Sequence, residues 1–175
     1  MAEPQFRVYV AVSLDGFIAT TDGGVDWLKP FEEDDVGYEE FIAKIGTIVV
    51  GRTTYDQIRG WGGWPYPGKQ VSILSSRPVK DPVEGAVLRD GDYGVVADEI
   101  AKDAGRDIWV LGGAITIQGF LDAGRIDEVE LFYVPVVLGR GISLLDDARP
   151  HNGWRLKAAE PYPNGLARLS YTLPR

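Results

Sequence analysis

Three segments of the sequence carry residue types that bind phosphate. An apolar, β-branched run ends at Gly51 and continues as Arg52-Thr53-Thr54, and a second such run ends at Leu111-Gly112-Gly113-Ala114. A third runs into Ser75-Ser76-Arg77, which adds two hydroxyls and a guanidinium. Where a strand passes into a helix, free backbone N–H groups and the positive end of the helix dipole attract an anion. Three such strand ends in one sheet predict a nucleotide-binding site.

The two glycine junctions also have an interpretation that needs no ligand, namely close packing of a helix on a strand. Arg52 taken alone fits a solvated surface arginine nearly as well. The guanidinium of Arg77, at a second strand end, favours a shared phosphate site, because the planar donor fork of arginine suits phosphate oxygens.

The elements that must position these residues alternate along the chain. Strand-like and helix-like patterns follow one another without a linker or repeat, which predicts a single α/β domain over residues 1–175. The predicted strands are 6–14, 47–50, 71–74, 108–111, 129–137 and 167–173. The predicted helices are 38–45, about 53–59, 93–104 with Asp92 as N-cap, and one that starts near Ala114. The neighbouring late strands predict an antiparallel edge.

Composition excludes several classes of function. The chain has 45% hydrophobic and 11% aromatic residues, which is far from the composition of disordered proteins. Its net charge of -8 argues against a nucleic-acid or acidic membrane surface. It has no cysteine, so thiol chemistry is excluded, and its one histidine disfavours a zinc site; no metal site is predicted. Residues 1–5 lack a leader pattern and no run of about 18 apolar residues occurs, so we expect a cytoplasmic protein.

An ordered set of motifs resembles the dihydrofolate reductase-like superfamily, and within it the reductase domain of bifunctional riboflavin-biosynthesis deaminase-reductases. The segments 13–16 and 135–139 are typical of that branch. The resemblance implies a three-layer α/β/α fold with a mixed, mostly parallel central sheet and an antiparallel C-terminal edge. It covers most of the chain and rests on residues 11–19, 51–56, 67–69, 73–78, 112–113 and 134–141.

The resemblance also implies NADPH as the cofactor. In this family an arginine after the strand-ending glycine and a serine-arginine pair after the next strand hold the adenosine 2′-phosphate; here they are Arg52, Ser76 and Arg77. A dianionic phosphate suits such donors, since charge-assisted hydrogen bonds are about twice as strong as neutral ones. The other implied contacts are Thr53 and Thr54 on the pyrophosphate, Gly112 and Gly113 where the backbone closes on the cofactor, Ala11, Ile18 and Ala19 beside the nicotinamide, and Gly51, Ser75, Leu111 and Ala114 at the same strand ends.

Asp35 is the candidate for substrate anchoring and proton supply. Folate-type members of the family use one carboxylate at the start of the second helical segment to bind the pteridine ring and help deliver a proton, while the cofactor supplies hydride. Asp35 matches that position, just before the apolar stripe that starts at Tyr38. The acidic run 32–35 also fits a helix N-cap or solvated charges favoured by the helix dipole, so both interpretations stay open.

The other substrate-side candidates each have an alternative. Trp27 resembles the family's pocket tryptophan and also fits a core or lid position. Asp15 suits a turn or a group near the nicotinamide. Lys69 stands where folate reductases place an arginine for the substrate's glutamate carboxylate, and it lacks that bidentate fork, which argues against a folate tail. The segment 61–64, Trp-Gly-Gly-Trp, fits a stacking surface for a flat heterocycle, a hydrophobic plug or a subunit contact.

We therefore expect an NADPH-dependent reductase that transfers hydride to a small heterocycle of pterin or ribosylaminopyrimidine type. Asp35, Trp27 and Lys69 are its predicted substrate contacts. A homodimer is expected because members of the reductase-domain branch often form one, and neither nucleic acid nor membrane is an expected partner. The alternative is a nucleotide-binding or sensory protein that keeps the cofactor cradle without turnover.

Overall fold

The computed structural model describes residues 3–32, 35–146 and 148–173. The strands are β1 (Phe6–Ser13), β2 (Phe17–Ala19), β3 (Ile45–Gly51), β4 (Gln70–Leu74), β5 (Ala86–Arg89), β6 (Asp107–Gly112), β7 (Glu128–Val134), β8 (Ile142–Ser143), β9 (Arg155–Pro161) and β10 (Ala167–Thr172). The helices are α1 (Tyr38–Lys44), α2 (Arg52–Gly60), α3 (Tyr93–Asp103) and α4 (Ala114–Asp122), and a 3-10 helix spans Asp26–Phe31. Within these ranges no helix is long and apolar enough to cross a membrane.

The main sheet has eight strands in the order β5-β4-β3-β6-β1-β7-β10-β9. The strands from β5 to β7 in this order are parallel to one another, and β10 is antiparallel to both β7 and β9. β2 and β8 form a separate two-stranded sheet. The mostly parallel sheet and its antiparallel C-terminal edge confirm the prediction.

Helices cover both faces of the sheet. Successive residues of a strand point to opposite faces, so β6 contributes to two core layers. Val110 packs in the layer that contains Phe120 of α4 and the apolar side of α3. Trp109 packs against Phe41 of α1, and Tyr55 of α2 packs against the strands beside it. This gives the predicted three layers, and it places the N-termini of α2 and α4 at the same edge of the sheet.

Most predicted elements are present, with changed ends. The Asp92 carboxylate accepts hydrogen bonds from the N–H groups of Gly94 and Val95 at 2.9 and 3.1 Å, which confirms it as the N-cap of α3. Ile45 was predicted as the last residue of a helix, but it starts β3 with an extended backbone. β7 ends at Val134 rather than at residue 137, because Pro135 has no N–H for the ladder.

A buried ionic network crosses β1 and the C-terminal strands. Arg7 is 6% exposed, and its guanidinium lies 3.1 Å from both Glu128 and Glu130 and 3.3 Å from Asp107. Burial alone would raise the pKa of Glu128, but a hydrogen bond from Lys157 and the charge of Arg7 outweigh it and lower the pKa. These charged residues in strand interiors are therefore paired with opposite charges, as a charge buried away from water must be.

Candidate functional site

The ends of β3, β4 and β6 lie side by side at one edge of the sheet. Gly51 pairs with Leu74 of β4, and Val50 pairs with Gly112 of β6. α2 follows β3 directly, and α4 follows β6 after one residue. The peptide bond between Gly112 and Gly113 is cis. The predicted phosphate-binding segments thus share one edge, as the parallel topology requires.

Glycine is required at these junctions for packing. A Cβ on Gly51 would lie 2.6 Å from Thr116 Oγ1, and one on Gly113 would lie 3.0 Å from Thr54 Oγ1. Gly112 has a φ of 133°, in the region that favours glycine. The glycines therefore bring α2 and α4 close together, as the packing interpretation holds. A nucleotide site here depends on the side chains around them.

Hydrogen bonds hold the Arg52 side chain in place at this edge of the sheet. Its Nη1 donates to the carbonyl oxygen of Pro78 at 2.9 Å and to that of Arg77 at 3.4 Å, so it joins α2 to the segment after β4. Its Nε donates to Asp56 at 2.6 Å. A cavity of about 430 Å³ opens beside these groups and is lined by Arg52, Thr53, Asp56, Arg77 and Pro78. The two predicted phosphate-binding arginines therefore line one cavity.

The serines after β4 have different surroundings. The Ser75 hydroxyl donates to the carbonyl oxygen of Arg77 at 2.6 Å and accepts from the Arg77 N–H at 3.2 Å. Ser75 thus shapes the turn, a role that the sequence did not predict, and its contact with a cofactor stays a prediction. Ser76 and Arg77 are both exposed, and Arg77 lines the cavity.

The predicted nicotinamide wall lies at the end of β1 and in β2. Ala11 belongs to β1, and Ala19 pairs with Ile142 of β8. The Asp15 carboxylate, in the turn between β1 and β2, accepts from the N–H groups of Leu138 and Gly139 at 3.1 and 2.7 Å. The Ser13 hydroxyl, with these two N–H groups, lowers the pKa of Asp15.

Asp15 is therefore both a turn residue, as predicted, and a link between the two segments that carry the family motifs. Ile18 lies between Phe17 and Ala19 in the short strand that this link holds in place. Sequence reasoning missed the link, because residues 15 and 138 are far apart in the chain and nothing local signals their contact.

A loop next to this wall is tied to α2. Thr20 and Gly24 close it through backbone hydrogen bonds, and the Gln57 side-chain amide donates to the carbonyl oxygen of Gly23 at 2.7 Å. Gln57 was not predicted from sequence, although it lies one turn beyond Thr53 on the same helix. Its hydrogen bond fixes the loop against the helix that carries Arg52.

Asp35 is exposed and accepts a hydrogen bond from the Gly37 N–H at 3.0 Å. The N-cap of α1 is Gly37, which makes no side-chain cap. The interpretation of Asp35 as an N-cap is therefore wrong, and its carboxylate stabilises the turn before the helix. Tyr9 of β1 donates its hydroxyl to the carbonyl oxygen of Val36 at 3.3 Å, so this turn is held over the sheet. Residues 33–34 of the acidic run lie outside the described residues.

Trp27 lies in the 3-10 helix, and its indole nitrogen is shielded from solvent without an acceptor among the described residues. Trp64 packs against Tyr55 and Tyr66, with ring centroids 5.3 and 5.1 Å apart. These contacts support the interpretation of residues 61–64 as a hydrophobic plug. Trp61, at the other end of that segment, is 62% exposed.

Lys69, a predicted substrate contact, uses two of its three ammonium N–H groups inside the fold, and its contact with a substrate stays a prediction. Its Nζ donates to the carbonyl oxygens of Ile42 and Ile45, each at 2.7 Å. These carbonyls belong to the end of α1 and the start of β3, and that of Ile42 also accepts the N–H of the C-cap residue Ile45. Lys69 therefore ties the loop before β4 to the end of α1, a contact that only the tertiary structure reveals.

We expect Lys69→Met to lower the free energy of unfolding by about 1.5–3 kcal/mol, because hydrogen bonds from a charged donor are lost. Urea unfolding of wild type and variant measures this difference. Lys102→Met, on an exposed part of α3, is the control and should change stability by less than about 0.5 kcal/mol. Unchanged stability together with weakened substrate binding would contradict the structural role and support the predicted substrate contact.

Comparisons with known proteins agree with this architecture. The family model of the RibD C-terminal domain matches residues 4–167. The chain is similar to the uncharacterized protein YwjB of Bacillus subtilis, with 33% identity over 157 residues that cover 89% of this chain and 90% of YwjB. It is also similar to the riboflavin biosynthesis protein RibD of Corynebacterium ammoniagenes, with 23% identity over 100% of this chain and 52% of RibD.

A solved structure shows the same fold over nearly the whole chain. The crystal structure of a protein named "Putative riboflavin biosynthesis protein", from Shewanella sp. PV-4, superimposes with a TM-score of 0.87. It is 26% identical and covers 98% of this chain and 99% of its own. From the family match and this fold, the chain belongs to the reductase-like family of the RibD C-terminal domain.

Proposed function

We propose that this protein is an NADPH-dependent reductase that transfers hydride to a small heterocycle, most closely of ribosylaminopyrimidine type. The observation that carries the proposal is the cavity between α2 and the segment after β4, lined by Arg52 and Arg77. Two guanidinium groups beside a helix N-terminus suit a phosphate dianion. The family to which the chain belongs supports a reductase.

The residues at this edge fit the adenosine end of NADPH. Arg52 and Arg77 would hold the 2′-phosphate, and Thr53 and Thr54 would meet the pyrophosphate at the start of α2. Gly113 leaves room for the Thr54 hydroxyl, which a Cβ at this position would approach to 3.0 Å. When bound, the cofactor supplies the hydride. Asp35, exposed just before the start of α1, would anchor the substrate and supply the proton.

Lys69 favours the ribosylaminopyrimidine type over the folate type of substrate. Its ammonium group donates to two backbone carbonyls, and it has no bidentate fork for a glutamate carboxylate at the position where folate reductases use an arginine. A heterocycle without that tail needs no such cation. The assay that compares the two substrate types measures the loss of reduced nicotinamide absorbance. We expect a faster loss with a ribosylaminopyrimidine substrate than with dihydrofolate.

Arg52→Ala and Arg77→Ala test the cofactor assignment. Each should weaken NADPH binding by about 1.5–3 kcal/mol, because a hydrogen bond to a charged group is lost, and should weaken NADH binding much less. Calorimetric titration of wild type and both variants measures the two affinities. Arg59→Ala, at the opposite end of α2, is the matched control. Equal losses for NADPH and NADH would contradict the 2′-phosphate contacts, and no binding of either by wild type would contradict the reductase.

A further inference from the structure

Asp56 occupies one side of the guanidinium group proposed to bind phosphate. It lies four residues after Arg52 on α2, and its Oδ2 accepts from Arg52 Nε at 2.6 Å. Both side chains reach solvent, with Asp56 52% and Arg52 28% exposed. Asp56 also lines the cavity of about 430 Å³ itself. A carboxylate therefore stands inside the space assigned to an anion.

The donors of Arg52 show what this carboxylate does. A guanidinium binds a phosphate bidentately through two parallel N–H groups, one choice being the edge formed by Nε and Nη2. Asp56 uses the Nε of that edge, and the carbonyls of Arg77 and Pro78 use Nη1. Nη2 alone has no acceptor among the residues that the structure describes. A bidentate contact with phosphate through this edge therefore requires Asp56 to give up its hydrogen bond.

We propose that Asp56 weakens the preference of this protein for NADPH by competing with the 2′-phosphate for Arg52. This inference rests on the proposed function. A 2′-phosphate dianion at Arg52 is repelled by the Asp56 carboxylate, whereas the neutral 2′-hydroxyl of NADH is not. Asp56 thus lowers the affinity for NADPH but not that for NADH. It thereby reduces the difference between the two affinities that Arg52 and Arg77 create.

The test compares ligands that differ in one phosphate. Wild type and Asp56→Asn are titrated calorimetrically with 2′,5′-ADP and 5′-AMP, and then with NADPH and NADH. Removing one negative charge beside a dianion should raise the affinity for 2′,5′-ADP about tenfold at low ionic strength and leave that for 5′-AMP unchanged. The gain should shrink at high salt, because both groups are accessible to counterions.

Two further variants separate charge from structure. Asp56→Glu keeps the carboxylate and should retain the wild-type ratio of the two affinities. Asp103→Asn removes an equivalent exposed carboxylate, paired with Arg89 at the far end of α3, and should leave the ratio unchanged. A ratio that shifts equally in Asp56→Asn and Asp103→Asn would reflect net charge alone and would overturn the inference.

The remaining outcomes are also decisive. If wild type binds NADPH and Asp56→Asn leaves the ratio unchanged, Asp56 does not control the preference, and the proposed function stands without it. If Asp56→Asn weakens all four ligands alike, Asp56 only supports the helix, and the inference is wrong. If wild type binds none of them, both the reductase proposal and this inference fall.

Discussion

Arg7→Met should lower the free energy of unfolding by about 3–5 kcal/mol, because it removes the cation that Glu128 and Glu130 share in the interior. Glu128 and Glu130 are each 4% exposed, and the Arg7 guanidinium lies 3.1 Å from both. Lys157 contacts Glu128 and Arg168 contacts Glu130, so the carboxylates keep one cation each. Without Arg7, only Lys157 and Arg168 would offset the repulsion between the Glu128 and Glu130 carboxylates.

Urea unfolding followed by circular dichroism measures this effect. Arg125→Met is the matched control: Arg125 pairs with Asp98 at 2.8 Å on the surface, where both side chains are more than a third exposed. An exposed pair contributes about 0–1 kcal/mol, so the control should change little. A loss of less than about 1 kcal/mol in Arg7→Met would mean that water reaches the two carboxylates and that the network is not buried in solution.

The network also bears on the site, because β1 and β7 pair in register along their whole length. Arg7 pairs with Glu128 at one end, and Ser13 pairs with Val134 at the other. Asp15 and its partners at Leu138 and Gly139 follow directly after these ends. Since a parallel pair has one register, the ionic contacts at one edge of the sheet help to place the motif segments at the opposite edge.

Signals that are local in sequence predicted the strand ends of the site. Gly51 and Gly112 mark the ends of apolar runs, and each is followed by a helix, so the parallel topology brings them together. The contact between Arg52 and Asp56 is also local, since it spans four residues of one helix. The sequence analysis did not predict it, because an aspartate is not one of the residue types that bind phosphate.

Contacts between distant segments could not be predicted in this way. Lys69 is matched to its family position by sequence, yet its ammonium group binds carbonyls more than twenty residues away. β9 was missed because nearly all of its residues are exposed, so the strand lacks the alternation of buried and exposed residues that identifies strands. The ionic network of Arg7 could not be predicted either, because its partners Asp107, Glu128 and Glu130 lie at least 100 residues away in the chain.

Phe120→Ala should also cost about 3–5 kcal/mol of unfolding free energy, which is typical of removing a buried aromatic ring. Phe120 lies in α4 and is fully buried, with its ring stacked on Phe6 at 5.6 Å and edge-to-face on Tyr93 at 5.5 Å. It therefore joins α4 to both β1 and α3. Ile117 and Val8 belong to the same core cluster, and a core of this kind fills the space left by a truncated ring only in part.

Thermal and urea unfolding of Phe120→Ala, with Ile115→Ala as control, tests this assignment. Ile115 is on the same helix but 79% exposed, so its truncation should change stability by less than about 0.5 kcal/mol. Because α4 begins directly after Gly113, loosening the helix should weaken NADPH and NADH binding together and leave their ratio unchanged. If Phe120→Ala changed the ratio of the NADPH and NADH affinities, the position of α4, and not only the charges around Arg52, would determine which coenzyme is preferred.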